Sequence, residues 1–446
     1  MGNDKKKRDG FDSQIGFILA CIGSAVGMGN IWRFPVMVSK WGGMTFLLPY
    51  FICVFIVGTT GVLGEMAFGR AAKAGPIGAF GMATERKFGN RKLGEAIGMI
   101  PIVGAMMLAI GYTCVVGWIF KYMFMSLSGD LAGLGQDMDK IGGMFGSTAA
   151  AFSNNLWIII ALIVNFAIMV MGVAGGIEKA NKVMMPVLFG LFIILAIYIA
   201  TIPGASDGYK YIFTITPSML LNPKLWIYAF GQAFFSLSVA GNGTVIYGSY
   251  LKDDEDVIQS SRIVAVMDTI AALLAAFVIV PSIATTGSEL SSGGPGLMFI
   301  HLVHVFNGMR GGRIVTIIFY LCVLFAGVSS LINLYEAPVA ALQEKLGFDR
   351  KKAVATIAIV GCVVALCIQG IVSGWMDFVS NYLCPLGAFL AGVMFFWFCG
   401  RQFVEAEINK GSKSKLGDFN YNVAKYVYCV LCLVALIAGV ILGGIG

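Results

Sequence analysis

Charged residues are scarce in this sequence. Only 12% of its 446 residues are Asp, Glu, Lys or Arg, whereas 58% are hydrophobic and the mean hydropathy is +0.84. Soluble globular domains carry about 25% charged residues, so the composition excludes that class of protein. Apolar runs of about 20 residues, the length that crosses a bilayer as a helix, recur along the whole chain. The sequence therefore predicts an all-α membrane protein without a separate soluble domain.

Histidine is nearly absent, and cysteine is absent from the predicted loops. The only two histidines, His301 and His304, have a spacing that is able to chelate a metal, but no cysteine or acidic pair stands near them. We therefore favour ordinary loop residues over a metal site. The ten cysteines lie inside or at the edges of apolar segments and are interpreted as small hydrophobic residues. No nucleophile with a base and no metal cluster is visible, so we predict that the chain is not an enzyme.

The basic residues set the predicted topology. The net charge is +7, and Lys and Arg cluster in loops on one side of the membrane, beginning with residues 5–8. Such clusters mark the cytoplasmic side of a membrane protein, and we predict no nucleic-acid partner. We expect a multi-pass protein of the cell inner (plasma) membrane, with its N-terminus in the cytoplasm. Eleven spans then place the C-terminus outside.

Two of the eleven predicted spans are interrupted. The spans are residues 14–39, 46–68, 97–126, 157–173, 185–202, 226–250, 264–283, 315–342, 354–371, 378–398 and 427–442. The first contains three glycines between Gly23 and Asn30, each costing a helix about 1 kcal/mol, and the sixth has small and polar residues at 236–243. Irregular backbone at membrane depth survives only where it lines a protein-walled cavity. Breaks at corresponding positions of two five-span blocks predict an inverted repeat with a binding site between its halves.

This pattern predicts five regions. They are a cytoplasmic tail at 1–13, a first repeat at 14–202, an external loop at 203–224, a second repeat at 225–400, and a cytoplasmic loop with helix eleven at 401–446.

Four motifs then occur in order along the chain. They are the break from Gly23 to Asn30, the run Asn30 to Pro35, Gly231 to Ser238, and Phe325 to Ser330. In these motifs and over almost its whole length, the chain resembles the neurotransmitter:sodium symporters, above all the bacterial amino-acid carriers. The eleven-span count is similar to that of the tyrosine-transporter branch. The resemblance implies a leucine-transporter-like fold of five plus five inverted spans, and symport of an amino acid with sodium by alternating access.

The resemblance also implies two sodium ions as coupling ions. The first site would use the Ala25 carbonyl, the side chains of Asn30, Ser236 and Asp268, and the carboxylate of the substrate. The second would use the carbonyls of Gly23, Val26 and Ala326 with the hydroxyls of Ser329 and Ser330. Unwound backbone supplies the oxygens that a hard cation prefers. Taken without the motif, Ser329 and Ser330 also fit close helix packing.

Asp268 is the most informative single residue, because a carboxylate inside a span is a functional hypothesis by default. Relatives with Asn at this position require chloride, held by Tyr, Gln, Ser and Asn side chains with one further serine. Tyr50, Gln232 and Ser236 match that set, but Ala272 stands where the further serine would be. We therefore expect Asp268 to substitute for chloride and to carry a proton on the empty return step. The alternative is a carboxylate that only pairs with a neighbouring donor.

The ends of the broken helices suit an α-amino acid. The N–H groups of Met28 and Gly29, with the Tyr112 hydroxyl, suit a carboxylate. Relatives that carry monoamines have Asp where Gly27 stands, so Gly27 favours a substrate with its own carboxylate. The carbonyls that suit an ammonium group are those of Ala25, Phe235, Ser236 and Ser238.

The pocket for the substrate side chain is expected to be large. It would involve Leu108, Tyr112, Phe235, Ser238, Gly241, Ser330 and Leu334. Gly241 replaces an aromatic residue of the leucine carrier, and Asn242 offers a hydrogen bond to a phenol or indole, so we expect a bulky hydrophobic or aromatic amino acid. Without the motif, Tyr112 and Phe235 fit plain helix packing equally well.

Two gates and one structural acid complete the predicted site. Arg33 would pair with Asp377 outside the site, with Gln232 nearby and Tyr112 over Phe235 as a hydrophobic lid. Arg8 would pair with Glu344 on the inner side, where Phe11 replaces the tryptophan of relatives. Glu65 is expected to accept hydrogen bonds from the opened backbone of the sixth span.

Competing functions make different demands. A channel or a substrate sensor on the same fold would bind without sodium-driven accumulation, and a proton-driven symporter would lack the Ser329 and Ser330 pair. The expected partners are a small amino acid and the lipid bilayer, with a monomer or a weak homo-oligomer as the assembly.

Overall fold

The computed structural model describes residues 9–285 and 294–444, and helices account for most of that part of the chain. The helices before the second break are α1 Gln14–Ala25, α2 Gly29–Trp41, α3 Met44–Ala72, α4 Pro76–Phe88, α5 Arg91–Ser128, α6 Asp130–Gly133, α7 Met138–Ala149, α8 Asn155–Val170, α9 Val173–Ala200 and α10 Ala205–Ile212. Those that follow are α11 Pro223–Ser236, α12 Gly243–Gly248, α13 Val257–Ala284, α14 Leu297–Asn307, α15 Gly312–Leu346, α16 Arg350–Ile368, α17 at 372–398, α18 Arg401–Asn409 and α19 Asp418–Leu442.

Most of these helices have the length and hydropathy of membrane spans. Seven helical runs within the described residues meet both criteria, and α1 with α2, bent by 51°, forms an eighth. One of the seven, α16 with α17, covers 49 residues, about twice the length of a single crossing, and a tight turn at Gln369–Ile371 divides it. The shorter α8 and the pair α11 and α12 cover the remaining two predicted spans. All eleven predicted segments therefore coincide with helix. The chain is a multi-pass membrane protein of the predicted all-α class.

The two predicted interruptions are present, and both are narrower than the sequence suggested. Helix α1 continues through Ala25 and ends because Val26 is extended, with ψ of 97°. In the sixth span, Ser238 and Asn242 take left-handed conformations with φ of 57° and 49°. A left-handed residue other than glycine costs roughly 1–2 kcal/mol, so surrounding contacts must hold it. The Ser238 hydroxyl supplies one by donating to the Ser24 carbonyl at 2.7 Å, which ties one break to the other.

Close helix packing surrounds the breaks. Helix α1 packs against α9 and α15, and α3 packs against both halves of the broken sixth span. Gly248 of α12 lies directly on the α3 backbone, since a Cβ there would stand 2.8 Å from the Met66 Cα. Small residues allow such approaches between membrane helices.

The face that carries the N-terminal segment, here called the N-terminal face, is closed. Phe11 packs edge-on against Phe17, Tyr247 and Tyr250, with ring centroids 5.4, 5.6 and 6.3 Å apart. Tyr250 also donates to Glu336 at 2.6 Å, linking the N-terminal segment, the end of the sixth span and α15. These contacts surround the ring of Phe11, which is buried.

Glu336 is the acid at the centre of this closure. Arg350, at the start of α16, holds both of its carboxylate oxygens at 2.5 and 2.8 Å. Glu178 plays a similar part nearby by accepting from the Asp12 N–H and the Ser13 hydroxyl, each at 2.7 Å.

Arg70 joins three elements at the N-terminal face. Its wholly buried guanidinium lies 2.7 Å from the Glu407 carboxylate and also donates to the Glu407 carbonyl. It donates to the carbonyls of Glu255 and Lys410 at 2.6 and 3.1 Å. One side chain therefore connects α3 with the chain before α13 and the end of α18.

Asp253 forms two exposed ion pairs on the same face. Lys410 and Lys73 lie 2.6 and 2.7 Å from its carboxylate and hold the pKa of Asp253 at about 2, below its usual range. Because the folded-state pKa is lowered, these pairs stabilise the fold above about pH 4 and lose that contribution as the pH falls to about 2.

We predict that the Arg70→Gln substitution lowers the free energy of unfolding by roughly 3–5 kcal/mol, because it leaves the buried Glu407 without its cation. The matched control Asp253→Asn removes only exposed pairs and is expected to cost less than about 1 kcal/mol. Thermal unfolding of both variants in detergent at pH 7 measures the difference. Equal losses would contradict the assignment of Arg70 as the connecting residue.

Candidate substrate and ion site

The proposed residues of the first sodium site meet between the two breaks. The Asn30 amide donates to the Ser236 hydroxyl at 3.1 Å and to the Asp268 carboxylate at 2.8 Å. The Ser236 hydroxyl lies 3.0 and 2.8 Å from the two Asp268 carboxylate oxygens. The Asn30 side-chain oxygen accepts from the Gly27 N–H at 3.1 Å. All three side chains are buried, so this cluster joins α2, α11 and α13 in the interior of the bundle.

The proposed residues of the second sodium site meet on the other side of the first break. The Ser330 hydroxyl lies 3.2 Å from the Gly23 carbonyl and 3.3 Å from the Val26 carbonyl. The neighbouring Ser329 hydroxyl donates to the Ala326 carbonyl at 3.2 Å within α15. The end of α1 and the middle of α15 thus present five oxygens to one region.

Sequence reasoning missed Asn181, which adjoins this second region. Its amide nitrogen donates to the Ile177 carbonyl at 2.9 Å, but its side-chain oxygen has no hydrogen-bond partner within residues 9–285 and 294–444. That oxygen points at Gly23, where an added Cβ would overlap with it. Asn181 falls in the predicted loop between residues 173 and 185, whereas in the structure it lies within α9, so the predicted span boundaries concealed it.

A central cavity lies between the breaks. Its walls are Ser24, Ala25, Gly27, Met28, Gly29, Leu108, Tyr112, Phe235, Ser236, Ser238, Gly241, Ser330, Asn333 and Leu334. Twelve of the thirteen predicted substrate-binding residues line it, and Ser24 and Asn333 are additional. The Tyr112 hydroxyl accepts from the Met28 N–H at 3.1 Å, at the start of the second half-helix. Gly27 leaves no space for a side chain, since a Cβ would stand 2.8 Å from the Ser330 hydroxyl and 3.0 Å from that of Tyr112.

Asn242 is the predicted residue that does not line the cavity. Its amide donates to the Glu65 carboxylate at 2.9 Å, and the Thr244 hydroxyl donates to the other Glu65 oxygen. The backbone at Asn242 is left-handed, and its side chain reaches Glu65 of α3 and does not line the central cavity. Our expectation that Asn242 meets the substrate is therefore corrected. Glu65 accepts bonds from the opened sixth span, as the resemblance implied.

A vestibule of about 340 Å³ adjoins the central cavity on the face opposite the N-terminal segment. The two cavities share Met28, Tyr112 and Phe235. Arg33 and Asp377 both line the vestibule, but they do not lie within ion-pair distance of each other in this structure. The Arg33 guanidinium instead stands 5.1 Å from the centroid of the Phe235 ring. The vestibule separates the two predicted gate residues and leads down to the central cavity.

Ser236 and Tyr50, two of the residues that match the chloride site of relatives, lie near Asp268. Tyr50, Gln232 and Ala272 are all fully buried, and Tyr50 lies within electrostatic range of Asp268. Gln232 donates to the Gly29 carbonyl at 2.9 Å. The region thus combines one carboxylate with several neutral polar groups.

Only one of the two predicted inner-gate residues, Glu344, lies within the described part of the chain. Glu344 accepts from the Gly75 N–H at 2.8 Å, at the start of α4. Its predicted partner Arg8 lies outside the described residues.

Comparison with known proteins identifies the family. Residues 8–135 and 144–444 match the sodium:neurotransmitter symporter family. This chain belongs to that family. Its members are sodium-dependent transporters rather than enzymes, in agreement with the predicted class.

Relatives of similar length share the same description. A sodium-dependent transporter of Methanocaldococcus jannaschii is 31% identical over 92% of this chain and 86% of its own length. One from Bacillus subtilis is 32% identical over 90% of both chains. Among solved structures, MhsT in complex with L-phenylalanine superposes with a TM-score of 0.85 at 30% identity, covering 97% of this chain and all of MhsT. The leucine-transporter-like fold expected from the motifs is thereby confirmed.

We predict that Asn242→Ala destabilises this symporter by about 1–3 kcal/mol, because a Glu65 oxygen loses its donor and the left-handed backbone loses a tolerant residue. The control Asn242→Gly removes the amide but keeps the backbone freedom, so it isolates the hydrogen bond. Thermal unfolding gives the stability of both variants. A change in amino-acid selectivity without a loss of stability would contradict the contact with Glu65.

Proposed function

We propose that this symporter imports an α-amino acid with a bulky hydrophobic or aromatic side chain, together with two sodium ions and without chloride. The observation that carries the proposal is the junction of two opposed chain breaks with Asp268, beneath a vestibule that reaches one face only. The bound L-phenylalanine of MhsT, a structural neighbour over its full length, supports the choice of substrate class.

Recognition of the amino-acid backbone follows from the ends of the broken helices. A carboxylate is attracted to the N-terminal end of a helix, where N–H groups lack partners within the helix. The N–H groups of Met28 and Gly29 start the second half-helix, and the Met28 N–H donates to the Tyr112 hydroxyl at 3.1 Å. Gly27 carries no charge of its own, so the substrate supplies the negative charge itself. Leu108, Phe235 and Leu334 offer apolar surface to its side chain.

Sodium would bind as a transported substrate at the two oxygen clusters. In the first cluster, Asp268 supplies a full negative charge and Ser236 and the Ala25 carbonyl supply neutral oxygens. The Asn30 amide now directs its nitrogen at Asp268. Cation binding therefore needs a half-turn of this amide, which exchanges its nitrogen for its oxygen. In the second cluster, the carbonyls of the first break and the hydroxyls of α15 form a neutral cage.

Chloride independence rests on the same carboxylate. A fixed charge on Asp268 balances the cation from within the protein, so no external anion is needed. We propose that Asp268 carries a proton when the empty carrier returns. A proton removes the cost of an unpaired charge in a water-poor interior.

Alternating access agrees with the asymmetry of the structure. The vestibule opens away from the N-terminal face, whereas Phe11, Tyr250 and Glu336 close that face. Basic loops favour the cytoplasm, so we propose a cytoplasmic N-terminus, an external C-terminus and a plasma-membrane location. In this assignment, the structure is open to the outside. We further propose that the carrier works as a monomer or a weak homo-oligomer.

The test is uptake of labelled phenylalanine, tryptophan, tyrosine and leucine by proteoliposomes. We expect accumulation above equilibrium only with an inward sodium gradient, and at least a tenfold loss in Ser330→Ala, because one hydroxyl of the second ion cage disappears. The control Ser128→Ala alters an exposed hydroxyl far from the cavity. Saturable binding without accumulation in the wild type would instead indicate a sensor, and current without accumulation would indicate a channel.

The same vesicles test the anion requirement. Replacement of chloride by gluconate should leave wild-type uptake unchanged, since Asp268 provides the charge. Asp268→Asn should lose most uptake in gluconate, and the double variant with Ala272→Ser should regain part of it in chloride. Wild-type uptake that stops in gluconate would refute chloride independence.

A further inference from the structure

A shallow recess at the N-terminal face presents two cations that have no partner among the described residues. Arg262 of α13 and Lys415 of the segment before α19 line it together. Within residues 9–285 and 294–444, neither side chain forms an ion pair or a hydrogen bond. The remaining walls are Thr59, Leu63, Ile258, Ser261, Leu416 and Asn420, and none of them is acidic. Two cations without a counter-ion in one recess point to an anionic ligand.

The recess lies at the edge of the lipid-facing surface. Arg262, Val266 and Ile270 are spaced by four residues and therefore share one face of α13. Val266 and Ile270 are 57% and 40% exposed, although both are strongly apolar and belong to a membrane-spanning helix. Arg262 thus stands just beyond the last apolar residue of that stripe, at the depth of lipid headgroups.

Helices α3 and α19 also place exposed apolar residues beside the recess. On α3, Phe55 is 66% exposed, and Thr59, one turn later, is a wall of the recess. On α19, the exposed Phe419 stands next to the recess residue Asn420. Apolar surface for acyl chains and cationic surface for a phosphate therefore meet at one place. A free phosphate ion would use only the second of these.

We propose that this recess binds the phosphate of an anionic glycerophospholipid, with Arg262 and Lys415 holding the headgroup and the stripes on α3 and α13 holding its acyl chains. Basic pockets between membrane helices bind anionic headgroups in this way. The headgroup would link α13, which also carries Asp268, to the segment 410–417. This proposal does not depend on the transported substrate or on sodium coupling.

Thermal unfolding in mixed micelles tests the proposal, with phosphatidylglycerol compared with phosphatidylcholine as the added lipid. We expect phosphatidylglycerol to raise Tm by several degrees and to be retained, about one molecule per chain, in native mass spectrometry. Each single variant, Arg262→Gln or Lys415→Gln, should weaken this lipid's binding about fivefold, and the double variant should abolish the selectivity. The control Lys92→Gln removes an exposed charge elsewhere on the same face and should change nothing.

Three outcomes would overturn the proposal. One is an equal Tm increase in the wild type and the double variant. A second is the same increase with millimolar inorganic phosphate alone, which would indicate a free-anion site. The third is retention of phosphatidylglycerol by Lys415→Gln with unchanged affinity. Lys415 lies in an exposed segment between helices, so its variant folds even if the Arg262 variant does not.

Discussion

The structure depends on peptide groups that two chain breaks leave open inside a membrane-spanning bundle. In hydrocarbon such groups would each cost several kcal/mol, so they must find partners within the protein. Here the hydrogen-bond partners of these peptide groups are other peptide groups and a few polar side chains. The Ser238 hydroxyl binds the Ser24 carbonyl, Ser330 reaches three carbonyls of the first break, and Gln232 reaches the Gly29 carbonyl. The same oxygens and N–H groups are what an ion and an amino acid can use.

This constraint explains why the polar residues concentrate where they do. Asn30, Ser236 and Asp268 form hydrogen bonds with one another in a single cluster. Glu65 accepts a hydrogen bond from Asn242, which follows the break in the sixth span. Asp268 and Glu65 therefore each have two side-chain donors from other segments of the bundle. Substrate and sodium would replace protein contacts that already exist, so their binding is able to shift the balance between closed and open arrangements of the two faces.

Much of this could be predicted from the sequence, and the remainder has identifiable reasons. The breaks were predictable because glycine and small polar residues weaken a helix locally. The prediction that Asn30 meets Ser236 and Asp268 required the family resemblance, because Asn30 lies more than 200 residues from both of them in the sequence. Asn242 was assigned to the wrong neighbour because its left-handed backbone, invisible in the sequence, turns its side chain to Glu65. Asn181 was missed because the predicted fifth span begins at residue 185, whereas helix α9 begins at Val173. Arg33 and Asp377 lie apart across the vestibule, a separation that no sequence pattern encodes.

Calorimetric titration of L-phenylalanine into the purified protein, in sodium chloride and then in potassium chloride, tests the central claim most directly. If the opened backbone binds ion and amino acid as one unit, the affinity in sodium should exceed that in potassium by at least a hundredfold. Equal affinities in the two salts would show that the amino acid binds without the ion, and would contradict the account.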